Sequence, residues 1–252
     1  MSRPAFFRSV ALAVALLGAA LPAHAFDEAQ TRDIEGIVRD YLVRNPEVLL
    51  EALDALEAKR SASALAERQR TIETARSQIQ GTPSGTALGN PEGDVTVTEF
   101  FDYNCGYCKR AAGDMAVLLQ SDPGLRVVLK EIPVLGPASE AASRVSLAFR
   151  ELAPERYGAF QKALLATRGQ VDEARALAVA AENGVDAATL RPLLQGAAVQ
   201  GALSESGALS AALGIDGTPS YVIGDELVAG AVGADVLAAK IANVRRCGKA
   251  TC

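Results

Sequence analysis

The sequence predicts an α/β fold with a helical domain inserted into its sheet and a helical extension ahead of it. Two strands with a helix between them, Val95–Phe101 (VTVTEFF) and residues 125–132 (LRVVLKEI), form a βαβ unit and hence a parallel sheet. Residues 137–210 carry helix starts and stops but no strand pattern. The chain then returns as a hairpin, Ser220–Ile223 and Glu226–Ala229, around the turn pair Gly224-Asp225.

Residues 1–25 read MSRPAFFRSVALAVALLGAALPAHA. Arg3 and Arg8 give a basic start, residues 10–21 are apolar, and Ala23-His24-Ala25 offers small residues at a cleavage site, the layout of a secretory signal peptide. A dozen apolar residues are too few to span a bilayer, and nothing later is long and apolar enough. The mature protein is therefore expected to be exported, soluble and in oxidising surroundings. Cleavage also removes the only histidine, His24, which excludes a Cys-His pair and histidine metal ligands. A net charge of −5 offers no basic patch for nucleic acid, and 49% hydrophobic residues suffice for an ordinary core.

Residues 26–80 are predicted all-helical. Ile34, Ile37, Val38, Tyr41 and Leu42 share one face. Asn45-Pro46 then supplies an N-cap and a first-turn proline for a second helix. Leu49, Leu53 and Leu56 make a stripe along it, and Leu65, Ile72 and Ile79 follow at intervals of seven. So narrow a stripe cannot build a core alone; it calls for cover from its own domain or from other copies of the chain. Residues 81–94 (GTPSGTALGNPEGD) read as a linker. After the first strand, residues 109–120 continue as a helix that stops at Ser121-Asp122-Pro123-Gly124. In the insert, Ser139 is expected as a cap, Pro154 as a helix start, Asn183-Gly184 as a stop and Asp186 as a new cap. A final helix covers residues 234–246. The domain expectation is thus a signal peptide 1–25, a helical segment 26–80, a linker 81–94, a sheet domain from 95–136 and 211–252, and a helical insert 137–210.

The chemistry is concentrated in FFDYNCGYCKR, residues 100–110, which hold Cys105 and Cys108, two of the four cysteines. A Cys-x-x-Cys at a strand-to-helix turn places the first sulfur beside the free N–H groups of the helix, where the dipole favours a thiolate. Lys109 and Arg110 add positive charge, and Cys108, one turn inward, is placed to resolve a mixed disulfide on Cys105. A zinc clasp needs four ligands, which only Cys247 and Cys252 could complete, and a structural disulfide across so tight a turn cross-links almost nothing. A redox pair is the reading that the βαβ context favours. Glu99 is an acid inside an apolar strand; if buried, its pKa is raised and it can shuttle a proton as the disulfide breaks, and if it faces solvent it does neither. Pro219, at the start of a strand after Gly217-Thr218, is compatible with a cis peptide.

Taken together, EFFDYNCGYCKR, VVLKEIPVLG and GTPSYVIG, with the signal peptide and the long helical insert, resemble the DsbA family of exported thioredoxin-fold proteins. The CGYC centre and the helical extension are most similar to its ScsC-like branch, linked to suppressing copper sensitivity. The resemblance implies a thioredoxin-like fold and a periplasmic thiol–disulfide oxidoreductase without a cofactor. It implies Cys105 as nucleophile, Cys108 as resolving cysteine and Glu99 as buried acid. Thr218 and a cis Pro219 would face the disulfide and bind substrate backbone. Gly106-Tyr107, also placed at the substrate, stands where DsbA itself has proline and histidine, so one stabiliser of the Cys105 thiolate is missing. The expected partners are cysteine-containing periplasmic clients, a membrane redox partner (a DsbD- or ScsB-like reductase, or a DsbB-like oxidase) and further copies of the chain, as a trimer. Disulfide isomerase or reductase is the leading activity; a disulfide-donating oxidase and a Cu(I)-binding protein using Cys105 and Cys108 are the alternatives. Cys247 and Cys252 lie outside these motifs and are expected to close a small structural disulfide.

Overall fold

The computed structural model describes residues 26–83 and 85–252, so the expected signal peptide, residues 1–25 with His24, lies outside the described residues. The chain divides into two units, the first ending at Ala58 and the second running from Lys59 to Cys252.

The first unit holds helix α1 (Glu28–Arg44) and the beginning of α2 (Glu47–Thr74). A capping box starts α1: the Asp27 carboxylate accepts from the Ala29 and Gln30 N–H groups, and the Gln30 side chain accepts from the Asp27 N–H. Asn45 departs from expectation. Its Nδ2 donates to the Tyr41 carbonyl at 2.8 Å, closing α1 rather than opening α2. The last carbonyls of a helix lack internal partners, and a carboxamide one turn on reaches them. Ile37, Val38, Tyr41, Leu49 and Leu53 all remain at least half exposed.

In the second unit the end of α2 and a short α3 (Arg76–Ile79) lead to β1 (Leu88–Gly89), β2 (Val95–Phe101), α4 (Gly106–Ser121) and β3 (Leu125–Glu131). A helical stretch follows: α5 (Pro137–Leu152), α6 (Tyr157–Leu165), α7 (Glu173–Glu182), α8 (Ala187–Leu190) and α9 (Ala197–Leu213). The chain closes with β4 (Ser220–Ile223), β5 (Glu226–Ala229) and α10 (Ala234–Cys247). The sheet order is β1-β3-β2-β4-β5, and only the β2–β3 pair is parallel. The sheet is therefore mixed, not wholly parallel. The expected linker also contributes a strand: Leu88 pairs with Val127 at the sheet edge, two residues being too short to show a period.

Each face of the sheet carries helices. Val95, Val97 and Phe101 point into the larger core with Met115 and Leu118 of α4, Ala142 and Val145 of α5, and Leu237 and Ile241 of α10. Phe100 and Val222 point the other way, against Ile72, Ile79, Leu209 and Leu213. Ile72 and Ile79, placed by their spacing in one stripe with Leu65, are thus buried within the second unit, while Leu65 is 49% exposed. Spacing fixes which residues share a helix face, not what covers each of them. Side-chain bonds secure this layer: Thr98 Oγ1 donates to the Ile79 carbonyl at 3.1 Å, and Arg68 Nε to the Leu213 carbonyl at 2.9 Å.

The insert follows its sequence signals with one exception. Pro154 opens a 3-10 turn, Asn183 ends α7 with Gly184 at φ +85°, and the Asp186 carboxylate caps α8. Ser139 is not a cap. Gly136, at φ +99°, precedes α5, and the Ser139 hydroxyl is turned inward to the carboxylate of Asp102.

Candidate active site

The turn after β2 delivers both sulfurs. Cys105 is itself the N-cap of α4, with extended backbone, and its Sγ accepts from the Cys108 N–H at 3.4 Å. Both cysteines are reduced, and they are unequal: Cys105 is 7% exposed and Cys108 wholly buried. Burial pushes the Cys108 thiol far up, so it holds its proton. Facing them, the Thr218–Pro219 bond is cis, and the Cys105 thiol donates to the Thr218 carbonyl at 3.2 Å. Tyr107, with Thr218, Pro219, Gly230 and Ala231, lines a groove on this side of about 360 Å³. Tyr107 is 61% exposed, and the Arg110 guanidinium lies 4.2 Å from the centre of its ring. Gly106 is exposed, and a Cβ added there would meet nothing within 4 Å.

Glu99 lies on the floor beneath α4 and is 4% exposed. Its cross-strand partner is Tyr221, and burial, partly offset by the Tyr221 hydroxyl, raises its pKa to about 8. The Tyr221 hydroxyl stands within the field of both Glu99 and Cys108, which puts the acid and the buried thiol in one neighbourhood.

The Lys109 ammonium has a structural task that its position in the sequence does not announce. Its Nζ donates to the carbonyls of Thr167 and Gly169, each at 2.8 Å, tying α4 to the loop after α6. A long side chain takes the nearest unpaired carbonyls, and those belong to residues remote in sequence.

Asp102 and Asn104 lie within FFDYNCGYCKR, and their task is not legible in it. The fully buried Asp102 carboxylate accepts from the Asn104 N–H, the Ser139 hydroxyl and the Leu135 N–H. Asn104 in turn exchanges hydrogen bonds with both backbone groups of Val171. This bracket locks the residues before Cys105 to the start of α5 and to the segment before α7. An acid directly after an apolar strand was the available signal; its partners lie too far along the chain to be read.

A second buried acid, Glu131, accepts from the Ser146 and Tyr157 hydroxyls, with Tyr103 bonded to Ser146. Its Oε2 and the Ser143 hydroxyl have no partner, and burial raises its pKa to about 7. Far from these groups in sequence, Cys247 and Cys252 form a disulfide with Cα atoms 6.3 Å apart. The tail it closes is also held by the Ala250 N–H donating to Asp225 and by Asn243 donating to the Ala250 carbonyl. Among the described residues no three His, Cys, Asp or Glu side chains gather as a metal site, and no helix is long and apolar enough to cross a membrane.

Comparison with known proteins places this geometry. Residues 96–242 match the DSBA-like thioredoxin domain, and residues 30–62 match the copper resistance protein ScsC N-terminal domain. No curated protein matches the chain. Among solved structures it is similar to a thioredoxin-like oxidoreductase from Silicibacter pomeroyi DSS-3, with 40% identity over 68% of this chain and 98% of the other and a TM-score of 0.65. It is also similar to the thiol-disulfide exchange protein alpha-DsbA2 from Wolbachia pipientis (27% identity, 72% and 98% coverage, TM-score 0.66). Proteus mirabilis ScsC in a compact conformation shares 27% identity over 86% of this chain and 99% of the other, with a TM-score of 0.65. A thioredoxin-like sheet with a CGYC centre, matched over more than half its length, makes this chain a member of the DsbA-like family of thiol–disulfide oxidoreductases, with an ScsC-type N-terminal region.

Proposed function

We propose that the protein is a periplasmic disulfide isomerase and reductase that works as an oligomer, most simply a trimer, on cysteine-containing client proteins. The observation that carries the exchange chemistry is the inequality of the two thiols at the start of α4. The Cys105 thiolate attacks a client disulfide, forming a mixed disulfide and releasing one client thiolate. In isomerisation that client thiolate attacks another client disulfide, and a client sulfur finally expels Cys105 unchanged. In reduction Cys108 gives up its proton and attacks Cys105, which forms the Cys105–Cys108 disulfide and frees the second client thiolate. Glu99, whose pKa burial raises to about 8, exchanges its proton with solvent near neutral pH, and its ionised form is the group suited to take the Cys108 proton. The Thr218 and Pro219 edge, with Gly106 and Tyr107, would hold the client's extended backbone. A membrane reductase of the DsbD or ScsB kind would return the pair to its dithiol form.

The preference for isomerase over a DsbA-like oxidase rests on the exposed apolar residues of α1 and early α2. Self-association there gathers several Cys105 sulfurs around one client and raises their effective concentration. The test compares the full chain with a chain starting at Lys59. The full chain should scatter light as an oligomer and repair scrambled disulfides; the shorter chain should be a monomer that oxidises dithiols but repairs poorly. A monomeric full chain overturns the isomerase reading and leaves the oxidase. A role in copper tolerance joins this reading through the thiols, since soft thiolates select Cu(I) and two adjacent sulfurs fit its low coordination number.

A further inference from the structure

Between α4 and α6 lies a cleft of about 450 Å³ to which the exchange chemistry above gives no role beyond that of Glu99 in its lining. Ala112, Met115 and Ala116 form one wall and Gly158, Ala159 and Leu165 the other. Four polar side chains line it: Glu155 and Lys162 are exposed at its rim, and Glu99 at 4% exposure and Gln161 at 5% lie in its apolar interior. The Tyr221 hydroxyl is the one polar group that attends Glu99. The Gln161 carboxamide makes no hydrogen bond to any described residue and is open to the cleft it lines. An apolar cleft of this size with a few convergent polar groups is the form that small-molecule sites take.

We propose that this cleft binds a small uncharged amphiphile, its apolar body between α4 and α6 and its head, a hydrogen-bond donor and acceptor, on Gln161 and Glu99. Gln161 offers one donor face and one acceptor, and a protonated Glu99 offers the same, so a primary amide or an alcohol completes both. Burial keeps Glu99 protonated at neutral pH, which disfavours a charged head there. An occupant would sit beside Glu99, which shares the neighbourhood of the Tyr221 hydroxyl with Cys108, and binding and redox state would then influence each other reciprocally. The binding itself does not depend on Cys105, so Cys105→Ser should take up the ligand as the native chain does even if the exchange reading fails.

The probe is hexanamide, read by NMR on the full chain labelled with ¹³C-methyl methionine. Met115 lines the cleft and is the only methionine besides Met1, and Met115→Leu assigns its signal. Hexanamide should move the Met115 methyl resonance saturably. N,N-dimethylhexanamide, which lacks the donor, and Gln161→Leu should each weaken binding about tenfold, the loss expected for one buried hydrogen bond. Ala116→Leu and Ala159→Leu, at exposed positions on the two walls, should narrow the cleft and weaken binding by at least as much without unfolding the chain. A Met115 resonance unmoved up to the solubility limit of hexanamide overturns the proposal, as does unchanged affinity in Gln161→Leu or in both leucine variants.

Discussion

Replacing Glu99 with Gln removes a buried group that can ionise and leaves its shape in place. Burial raises the Glu99 pKa from 4.5 to about 8, so the folded chain holds this proton more tightly than the unfolded chain does. The sign follows. Between those two values the folded state binds more protons, so stability is greatest at acid pH and falls as pH rises through the window. At about 1.4 kcal/mol for each pH unit of displacement, the native chain should lose about 3 kcal/mol from Glu99 by pH 7 and about 5 kcal/mol above pH 8. Gln161 and Tyr221 are unchanged in the variant, and any constant packing difference cancels when the two chains are compared across pH. Urea unfolding followed by far-ultraviolet circular dichroism, with Cys105 and Cys108 kept reduced, should show Glu99→Gln gaining on the native chain by about 3 kcal/mol between pH 4.5 and 7. A stability difference that stays constant within about 0.5 kcal/mol over that range, the ordinary spread for non-interacting sites, would refute the reasoning.

Cys105→Ser should abolish insulin reduction, whereas Cys108→Ala should accumulate mixed disulfides with clients on non-reducing gels. Ile72→Ala, which opens a hole in the layer under Phe100 and Val222, should cost 2–5 kcal/mol in urea melts, as large-to-small core changes do, while Leu53→Ala should cost far less in the same melts. Asp102→Ala strands the Asn104 and Leu135 N–H groups and should cost about 3 kcal/mol or more, with proteolysis near Cys105 as an independent readout. Cys247→Ser with Cys252→Ser opens a loop of only six residues and should cost about 2 kcal/mol, leaving insulin reduction intact.

The parts of this fold legible in the sequence were those that local rules decide. Gly224-Asp225 marks its hairpin because two short apolar runs flank a turn pair, and β4 and β5 lie on those runs. The Cys-x-x-Cys turn was legible because Cys105 follows a strand and precedes a helix within a few residues. What failed required knowing a partner. Ser139 has the composition of a cap, but the carboxylate of Asp102, 37 positions away in the chain, takes its hydroxyl. Lys109 also binds two carbonyls of the insert, a task its place in the sequence could not show. Glu99 is the instructive middle case. Its strand position allowed burial or exposure, and only the helices covering both faces of β2 settle it.

The two residues between the sulfurs carry little of the packing around them. A side chain grown on Gly106 would touch nothing, and most of Tyr107 projects into water. The Asp102 bracket and the Cys105 cap, not this dipeptide, hold the start of α4 in place. Melting behaviour and redox behaviour are therefore written in different letters of the same short loop. A library randomised at positions 106 and 107 alone can be sorted for reduction potential or client preference with little screening for folding, and natural drift has the same freedom.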